Sequence, residues 1–501
     1  MVRPRLVVYP KNPEDLQNLV KWVGENKSKD PTLSVTVRAA GSCMSGGPLN
    51  ESIIADVTKH MNMVGEIREE GTAVQPGLFY RDFEKRTLER GLILPCYTAS
   101  KNLCALGGMI SNNSGGEKTL RYGKMENFVT ESKVIFADGN EYTVKPLTKQ
   151  ELGRKMADGG FEGELYEKLY QLIEQNKEVI EKARPNVSKN SAGYYLWNIW
   201  DGKTFDLNKL LVGSQGTLGI VTEAKVKLVP VEPVSRLFVI FLKDLSPLAD
   251  VVNEILPTAP ESIECYDDAS IKLAVRFLPK FILRFIPEAL MILRGGVPKL
   301  VLLVEYTGKT EEEVLKKLDI LKDKMKHFDL PTHRVDSARE SEKYWTIRRE
   351  SFNLLRKHVR NARTAPFVDD VVIRPGDMPA FLPSMRKILD DYKLTYSLAG
   401  HAGNGNFHVI PLMDMRNKKN IQTIREVGEK IYDLVGKFHG SITGEHNDGI
   451  VRTPYLGKMY SPEILDLFRQ TKEIFDPQNV FNPGKKVGGT IDYLTSHIAI
   501  E

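Results

Sequence analysis

The sequence predicts an α+β protein of more than one domain, and three observations predict it. The chain has 501 residues, more than one ordinary hydrophobic core organises. Short β-rich runs alternate with helical segments up to Pro230–Pro233, and a strand–helix rhythm resumes beyond it. Glycines cluster at Gly107–Gly108, Gly115–Gly116 and Gly213–Gly219, marking loops between those elements.

The elements follow in order. "RLVVYP" reads as a strand, and the helix after it starts at Asn12-Pro13, an N-cap followed by proline at the first helical position. "SVTVRAAG" and "SIIADVT" are strands around a Gly/Ser loop. Beyond Pro233 come the strand "RLFVIFL", a helix near Leu248–Leu256, and the strands "ESIECYD" and "LVLLVEYTG". "TEEEVLKKLDILKDKMKHF" has apolar residues at helical spacing and a charged outer face. A further helical stretch, Asp336–Lys357, carries "SEKYWTIRRESFNLLRKH", and the chain closes on a helical tail ending in "FDPQNVFNPGKK".

Composition excludes several classes. A net charge of +5 is small for this length and gives no nucleic-acid signal. Cys43, Cys96, Cys104 and Cys265 form no CxxC pair, which predicts a reducing compartment and no iron–sulfur cluster in this chain. No run of 18 apolar residues is present, and "MVRPRLVVYP" has no signal h-region, so the expected location is cytoplasmic. The apolar, Pro-interrupted and basic segment Arg276–Lys299 has two readings. One is a buried helix pair; the other is a peripheral contact with the inner face of the cell membrane.

"TYSLAGHAGNGNFHVIPL" places His401 and His408 seven residues apart around Gly and Asn. On a helix they are two turns apart, and on one strand they face opposite sides. Asn404-Gly405 signals a two-residue type I′ hairpin turn. Folding there sets His401 directly opposite His408, with Cβ atoms about 4.5–5.5 Å apart, close enough for both imidazoles to hold one metal ion.

Three loops carry the glycines. "VRAAGSCMSGG" follows a strand with small residues whose backbone N–H groups can cradle an anion such as a pyrophosphate, but it is neither GxGxxG nor a Walker loop. "GGMISNNSGGEKTLRYG" and the expected strand–loop–strand "LLVGSQGTLGIVTEAKVKL" repeat the theme, as expected where backbone presses close to a ligand.

The order and spacing of these loops resemble the FAD-binding domain of the vanillyl-alcohol oxidase-type flavoproteins. With "GHAGNGNFH", "GEHNDG" and "FNPGK", the chain resembles their D-2-hydroxyacid dehydrogenase branch: D-lactate dehydrogenase, the glycolate oxidase flavin subunit and D-2-hydroxyglutarate dehydrogenase. The resemblance implies a FAD-binding domain over 1–232, an α+β substrate (cap) domain with an antiparallel sheet and metal site over 233–450, and a helical segment, 451–501, returning to the first domain. It implies FAD contacts from Arg38, Ala39, Ala40, Gly41, Ser42, Cys43, Met44, Ser45 and Gly46. Further contacts are implied from Gly107, Gly108, Asn113, Gly115, Gly116, Tyr122 and Gly123, and from Gly216, Gly219, Ile220 and Asn482. Ala39 and Ala40 stand where such proteins usually have Gly, and Ser42 stands where some carry a flavin-tethering His, so non-covalent FAD is expected.

"GSITGEHNDG" supplies Glu445 and His446, which point to opposite sides if the segment is extended. His401, His408 and Glu445 make an N,N,O set with open positions, suited to a catalytic divalent metal, with zinc first and Mn or Fe also admissible. The family pattern assigns metal to these same positions. The implied reaction is oxidation of a D-2-hydroxyacid to the 2-oxoacid, with His446 as base and Arg348 on the substrate carboxylate. Val368 and Ile410 replace the Lys and Asn found in hydroxyglutarate-using members, which favours a lactate-like substrate. Electrons must pass to a quinone, a cytochrome, an electron-transferring flavoprotein or an iron–sulfur partner subunit. Two other readings are a FAD-holding electron-transfer subunit and a non-redox enzyme of the alkylglycerone-phosphate synthase type. That second type carries a run of consecutive His not found here.

Overall fold

The computed structural model describes residues 2–277, 296–358 and 362–498. The segment Arg276–Lys299, read above as helix pair or membrane contact, lies mostly outside the described residues. Among the described residues no helix is long and apolar enough to cross a membrane.

The N-terminal half is built on two small sheets. In the first, Ile53–Asp56 lies between Leu6–Val8 and Val35–Arg38, all parallel. The helix Pro13–Asn26 starts where Asn12 Oδ1 accepts the Asp15 N–H, and it packs Leu16, Val20 and Val23 against this sheet. Each such buried side chain contributes about 1.5–3 kcal/mol. The second sheet is antiparallel, in the order Thr72–Val74, Ile220–Val226, Val129–Ile135, Glu141–Val144. Ile135 and Ile220, directly paired, join the core of the first sheet and bind the two together.

The second half is dominated by one antiparallel sheet. Its order is Thr332–Val335, Val234–Leu242, Leu300–Gly308, Ser262–Asp267, Thr395–His401, Asn406–Met413, Arg363–Thr364, with Val371–Val372 also paired to Asn406–Met413. Strand alternation gives it two faces. Ile263, Cys265, Leu398, Phe407 and Val409 face the large core with the helices Leu248–Ile255, Glu311–Met325, Met378–Asp391 and Lys419–Lys437. Tyr266 and Ala399 face the other way, packed with Tyr344, Trp345 and Ile347 of the helix Ala338–His358. Glu264, His401, His408 and Ile410 alternate onto this second face.

After the helix Pro462–Phe475 the tail returns to the first sheet. Val35 N–H donates to Val480 O at 2.8 Å and Asn482 N–H to Val35 O at 3.0 Å.

Two local expectations are corrected. His401 pairs with Asn406, not His408, because residues 402–404 form a helical turn and Gly405 alone turns left-handed (φ 64°). Asn404 does not adopt the positive φ that a type I′ turn requires, so the loop holds four residues. The third glycine loop is entered from a helical turn, Asn208–Leu211, rather than a strand. Buried Asn208 directs that turn, bonded through its side chain to Ser132 and Asp206.

Candidate active site

A cavity of about 540 Å³ lies between the glycine loops and the second face of the large sheet. Ala39, Ala40, Gly41, Ser42, Cys43 and Met44 line it from the first loop, with Gly107, Gly108, Gly216, Gly219 and Ile220 from the others. Arg348, His401, His408, Glu445 and His446 line the same cavity. The glycines answer to two demands. Gly107 is glycine because a Cβ there would come within 2.5 Å of Pro76 Cβ. Gly108 and Gly216 face open space: a Cβ would meet nothing nearer than Ala39 Cβ at 4.0 Å and Gly219 O at 3.9 Å. A larger side chain at Gly108 would enter the cavity, so the bare backbone there forms a cradle for a bound group, whereas Gly216 is also held to glycine by its left-handed φ of 65°.

Nine residues read from the sequence do not line it. The helix Leu106–Asn112 ends on Asn113 in the left-handed conformation (φ 51°), which turns its side chain to the Glu126 N–H and leaves Asn112 facing the cavity. Arg38 lays its guanidinium against Gly41. Ser45 and Gly46 pack on Ile450, and Ser45 O accepts the Ile450 N–H. Gly115 sits behind Glu445, Gly116 passes beneath Tyr97 O, and Gly123 lies against Asn127. The Tyr122 ring lies under Arg121. Asn482 donates to Gly47 O (3.0 Å) and Gln215 O (2.7 Å), bracing the walls of the cavity from behind.

The two histidines meet despite the shifted register. His401 and His408 stand diagonally on one face of the hairpin, two residues out of step, with ring centroids 5.2 Å apart and planes at 86°. Glu445 Oε1 lies 3.3 Å from His401 Nε2 and 3.4 Å from His408 Nε2. The far side of each group is held. His401 Nδ1 is 2.6 Å from Glu264, His408 Nδ1 is 3.2 Å from Asp369, and Glu445 Oε2 is 2.8 Å from Lys189 Nζ. The segment carrying Glu445 and His446 is bent rather than extended, so both side chains meet His408: Glu445 at its Nε2, and His446 by stacking on the ring (centroids 4.9 Å apart, 23°) while its Nδ1 bonds to Asp369 at 2.7 Å.

Buried charge is matched closely here. Burial alone would raise the Glu445 carboxyl; Lys189 and His401 outweigh it and hold it well below the usual carboxylate range. Burial works against the His408 imidazolium, yet Asp369 and then Glu445 pull its pKa up to about 10. His446 is raised against burial by Asp369 and Asp370. Asp370 mounts the segment itself, accepting N–H groups of Glu445 (2.9 Å) and His446 (2.7 Å) and the Thr443 hydroxyl (2.6 Å) on one oxygen.

Arg348 reaches the cavity with part of its fork engaged: Nε and Nη2 lie 3.0 and 2.9 Å from Glu264. Arg349 also lines the cavity and pairs with Glu117 at 2.7 Å. Ile410 is in the wall, whereas Val368 is buried in the opposite core and does not reach it.

Sequence reasoning missed Glu264, Asp369 and Asp370, and it marks the segment 189–196 as site-lining without giving Lys189 a role. "KNSAGYYL" and "FVDDVVIRP" both held the signal, an ionisable group inside a segment that folds as buried chain. Glu264 gave none, because one charged residue on an alternating strand reads as a solvent face.

Residues 231–486 match the family model of FAD linked oxidases, C-terminal domain, and residues 4–145 match a FAD binding domain. The chain belongs to the FAD-linked oxidases. This FAD-linked oxidase is 27% identical over 494 residues to D-2-hydroxyglutarate dehydrogenase of Pseudomonas putida, covering 96% of this chain and 48% of that protein. It is 26% identical to glycolate oxidase subunit GlcD of Bacillus subtilis (96% and 88% covered). It is 24% identical to D-lactate dehydrogenase of Archaeoglobus fulgidus (97% and 93%). It therefore spans about half the length of the first of these and most of the other two. Among solved structures it superposes on substrate-bound p-cresol methylhydroxylase with a TM-score of 0.70 at 16% identity, covering 98% and 90%. Against 4-ethylphenol oxidase from Gulosibacter chungangensis the TM-score is 0.68 at 15% identity, covering 97% and 89%. These likenesses place it in the vanillyl-alcohol oxidase-type fold.

Proposed function

We propose that this FAD-linked oxidase converts a D-2-hydroxyacid to the 2-oxoacid with FAD and a divalent metal, zinc first among the candidates, and passes the electrons to an acceptor other than oxygen. One observation carries the reading. The N,N,O set of His401, His408 and Glu445, the base candidate His446 and the cation Arg348 all converge on the cavity that the glycine loops line. The donor set suits a metal, since each imidazole gives its Nδ1 side to a carboxylate and turns Nε2 toward Glu445 Oε1. When bound, FAD supplies the hydride acceptor and the divalent ion a Lewis acid for the substrate hydroxyl.

The chain's own residues do the rest. Arg348 binds the substrate carboxylate through the part of its guanidinium that Glu264 leaves free. His446 takes the hydroxyl proton at Nε2, its Nδ1 held by Asp369. Lys189 occupies Glu445 Oε2, leaving Oε1 as the single ligand oxygen. Glu264 and Glu445 are paired with Arg348 and Lys189, and the buried cations Arg452 and Lys124, held on the backbone oxygens of Asp369 and Gly444, offset the negative charge of the neighbouring Asp370, which lessens repulsion of an anionic substrate. Ile410, Ser397 and Ala399 form an uncharged wall beside the histidines, which favours a lactate-like tail over a second carboxylate.

The test is anaerobic mixing of the FAD-loaded protein with D-lactate, glycolate and D-2-hydroxyglutarate, with metal content measured in parallel. Flavin bleaching by D-lactate, lost on chelation and restored by zinc, is expected. No bleaching by any D-2-hydroxyacid would leave an electron-transfer subunit as the better reading.

A further inference from the structure

We infer that Asp369 is a positioning residue that sets the tautomer of two imidazoles with one carboxylate, so that in the metal-loaded chain His408 and His446 both turn Nδ1–H to Asp369 and leave Nε2 for the cavity. The inference rests on the proposed function for what those two Nε2 atoms do, but not for the geometry.

Asp369 is fully buried. Its Oδ1 lies 3.2 Å from His408 Nδ1 and its Oδ2 lies 2.7 Å from His446 Nδ1. An ionised carboxylate only accepts hydrogen bonds, so each neutral imidazole must carry its proton on Nδ1. With a metal ion in place of the His408 Nε2 proton, both rings then keep their Nε2 lone pairs. One of these faces Glu445 Oε1, and the other belongs to a ring parallel to the first and stacked on it. A single acidic side chain thus joins a metal-ligand candidate to the proton-accepting candidate, and neither can change tautomer without disturbing the same carboxylate.

The backbone is built to hold that carboxylate. Asp370 takes a left-handed conformation (φ 69°), which Asp tolerates better than most residues, and the turn directs both consecutive carboxylates toward one segment. Asp369 grips the two imidazoles, while Asp370 grips the peptide N–H groups of Glu445 and His446. Buried Arg452 anchors the pair from behind, donating to Asp369 O at 2.8 Å and Asn447 O at 3.0 Å. The doublet "DD" therefore fixes both the rings and the peptide that carries one of them.

The chemistry makes one sharp consequence. Asn at this position has the same shape but offers one acceptor and one donor. It can accept from only one Nδ1–H and must donate to the other ring. With zinc held through His408 Nε2, that ring keeps its Nδ1–H and takes the Asn oxygen. His446 is forced to the Nε2–H form, which cannot accept a proton from substrate.

The experiment is a comparison of wild type, Asp369→Asn and Asp369→Glu as zinc- and FAD-loaded chains. Long-range ¹H–¹⁵N spectra of ¹⁵N-histidine samples read the tautomers, and stopped-flow flavin reduction reads kcat and KM with D-lactate. In wild type both rings should be Nδ1–H. In Asp369→Asn His446 should switch to Nε2–H, with kcat down on the order of 100-fold and KM little changed. Asp369→Glu restores two acceptors and should recover the Nδ1–H form with part of the rate. An unchanged flavin spectrum and melting temperature identify a folded variant. His446 remaining Nδ1–H in folded Asp369→Asn overturns the inference, as does an unchanged kcat. If wild type is reduced by no hydroxyacid while the tautomer still switches, the functional reading fails and the positioning role stands.

Discussion

Lys189 Nζ lies 2.8 Å from Glu445 Oε2, with both side chains buried. The ammonium balances a carboxylate whose other oxygen faces two imidazoles. Lys189→Met should leave that carboxylate uncompensated, and breaking such a pair typically costs about 3–5 kcal/mol. Denaturation of the metal-free variant should show a loss of that size. Added zinc should recover part of it, because the ion takes over as counter-charge. Equal stability of variant and wild type without metal would show that the pair is not coupled.

The pH dependence of the metal-free chain follows from His408. Its pKa is raised from 6.5 to about 10 against burial by Asp369 and Glu445. A folded value above the unfolded one means that the imidazolium's contribution is fully present below about pH 6.5 and fades as pH rises through about 10. Asp369 and Glu445 are shifted the other way, so their contributions are present above the ordinary carboxylate range and lost as pH falls. Stability without metal should therefore decline from pH 7 to pH 10, with a limiting slope of about 1.4 kcal/mol per unit from this group. Zinc competes with the same proton, so its affinity should rise about tenfold per pH unit over that range. Denaturation and chelator competition at a series of pH values check both signs, and His408→Gln should flatten both curves.

Much of this site was legible before the fold was known, and the reasons differ by residue. His401 and His408 shared a face even though the expected register was wrong, because their side chains fall on one face both directly across and one pleat out of step. Small residues pressed against a ligand were readable as glycines, but not which of them face it. Asn113 reads in the sequence as a flavin contact, whereas its side chain turns to the Glu126 N–H and Asn112 lines the cavity, because a left-handed residue at the helix end redirects the side chain and one-dimensional spacing does not reveal it. Glu264, Asp369, Asp370 and Lys189 act on other side chains rather than on a ligand, so their meaning exists only once strands distant in sequence are paired.

Gly108 lines the cavity, and a Cβ there would find no neighbour closer than 4.0 Å. Gly108→Val should fold without a clash inside the protein, yet its side chain would occupy space needed by a bound flavin. The expected outcome is a stable chain that purifies colourless and takes up added FAD at least tenfold more weakly than wild type. Gly107→Val provides the contrast. Its Cβ would strike Pro76, so that variant should lose stability rather than flavin alone. Flavin absorbance and melting temperature, measured together, separate the two effects.

Ile410 pairs with Ser397 on the cavity face of the hairpin, beside the histidines. An apolar side chain there gives a second substrate carboxylate no partner, and a carboxylate desolvated without one is costly. Ile410→Asn supplies an amide donor and should shift kcat/KM from D-lactate toward D-2-hydroxyglutarate by about 1–3 kcal/mol, or roughly 5- to 150-fold in ratio. Adding Val368→Lys should do little for selectivity, because Val368 is buried in the core on the opposite face and a Lys there would destabilise the chain instead. Steady-state kinetics with both substrates distinguish the outcomes. A preference unmoved by Ile410→Asn, or moved only by the change at Val368, would place the tail of the substrate against a different wall of the cavity.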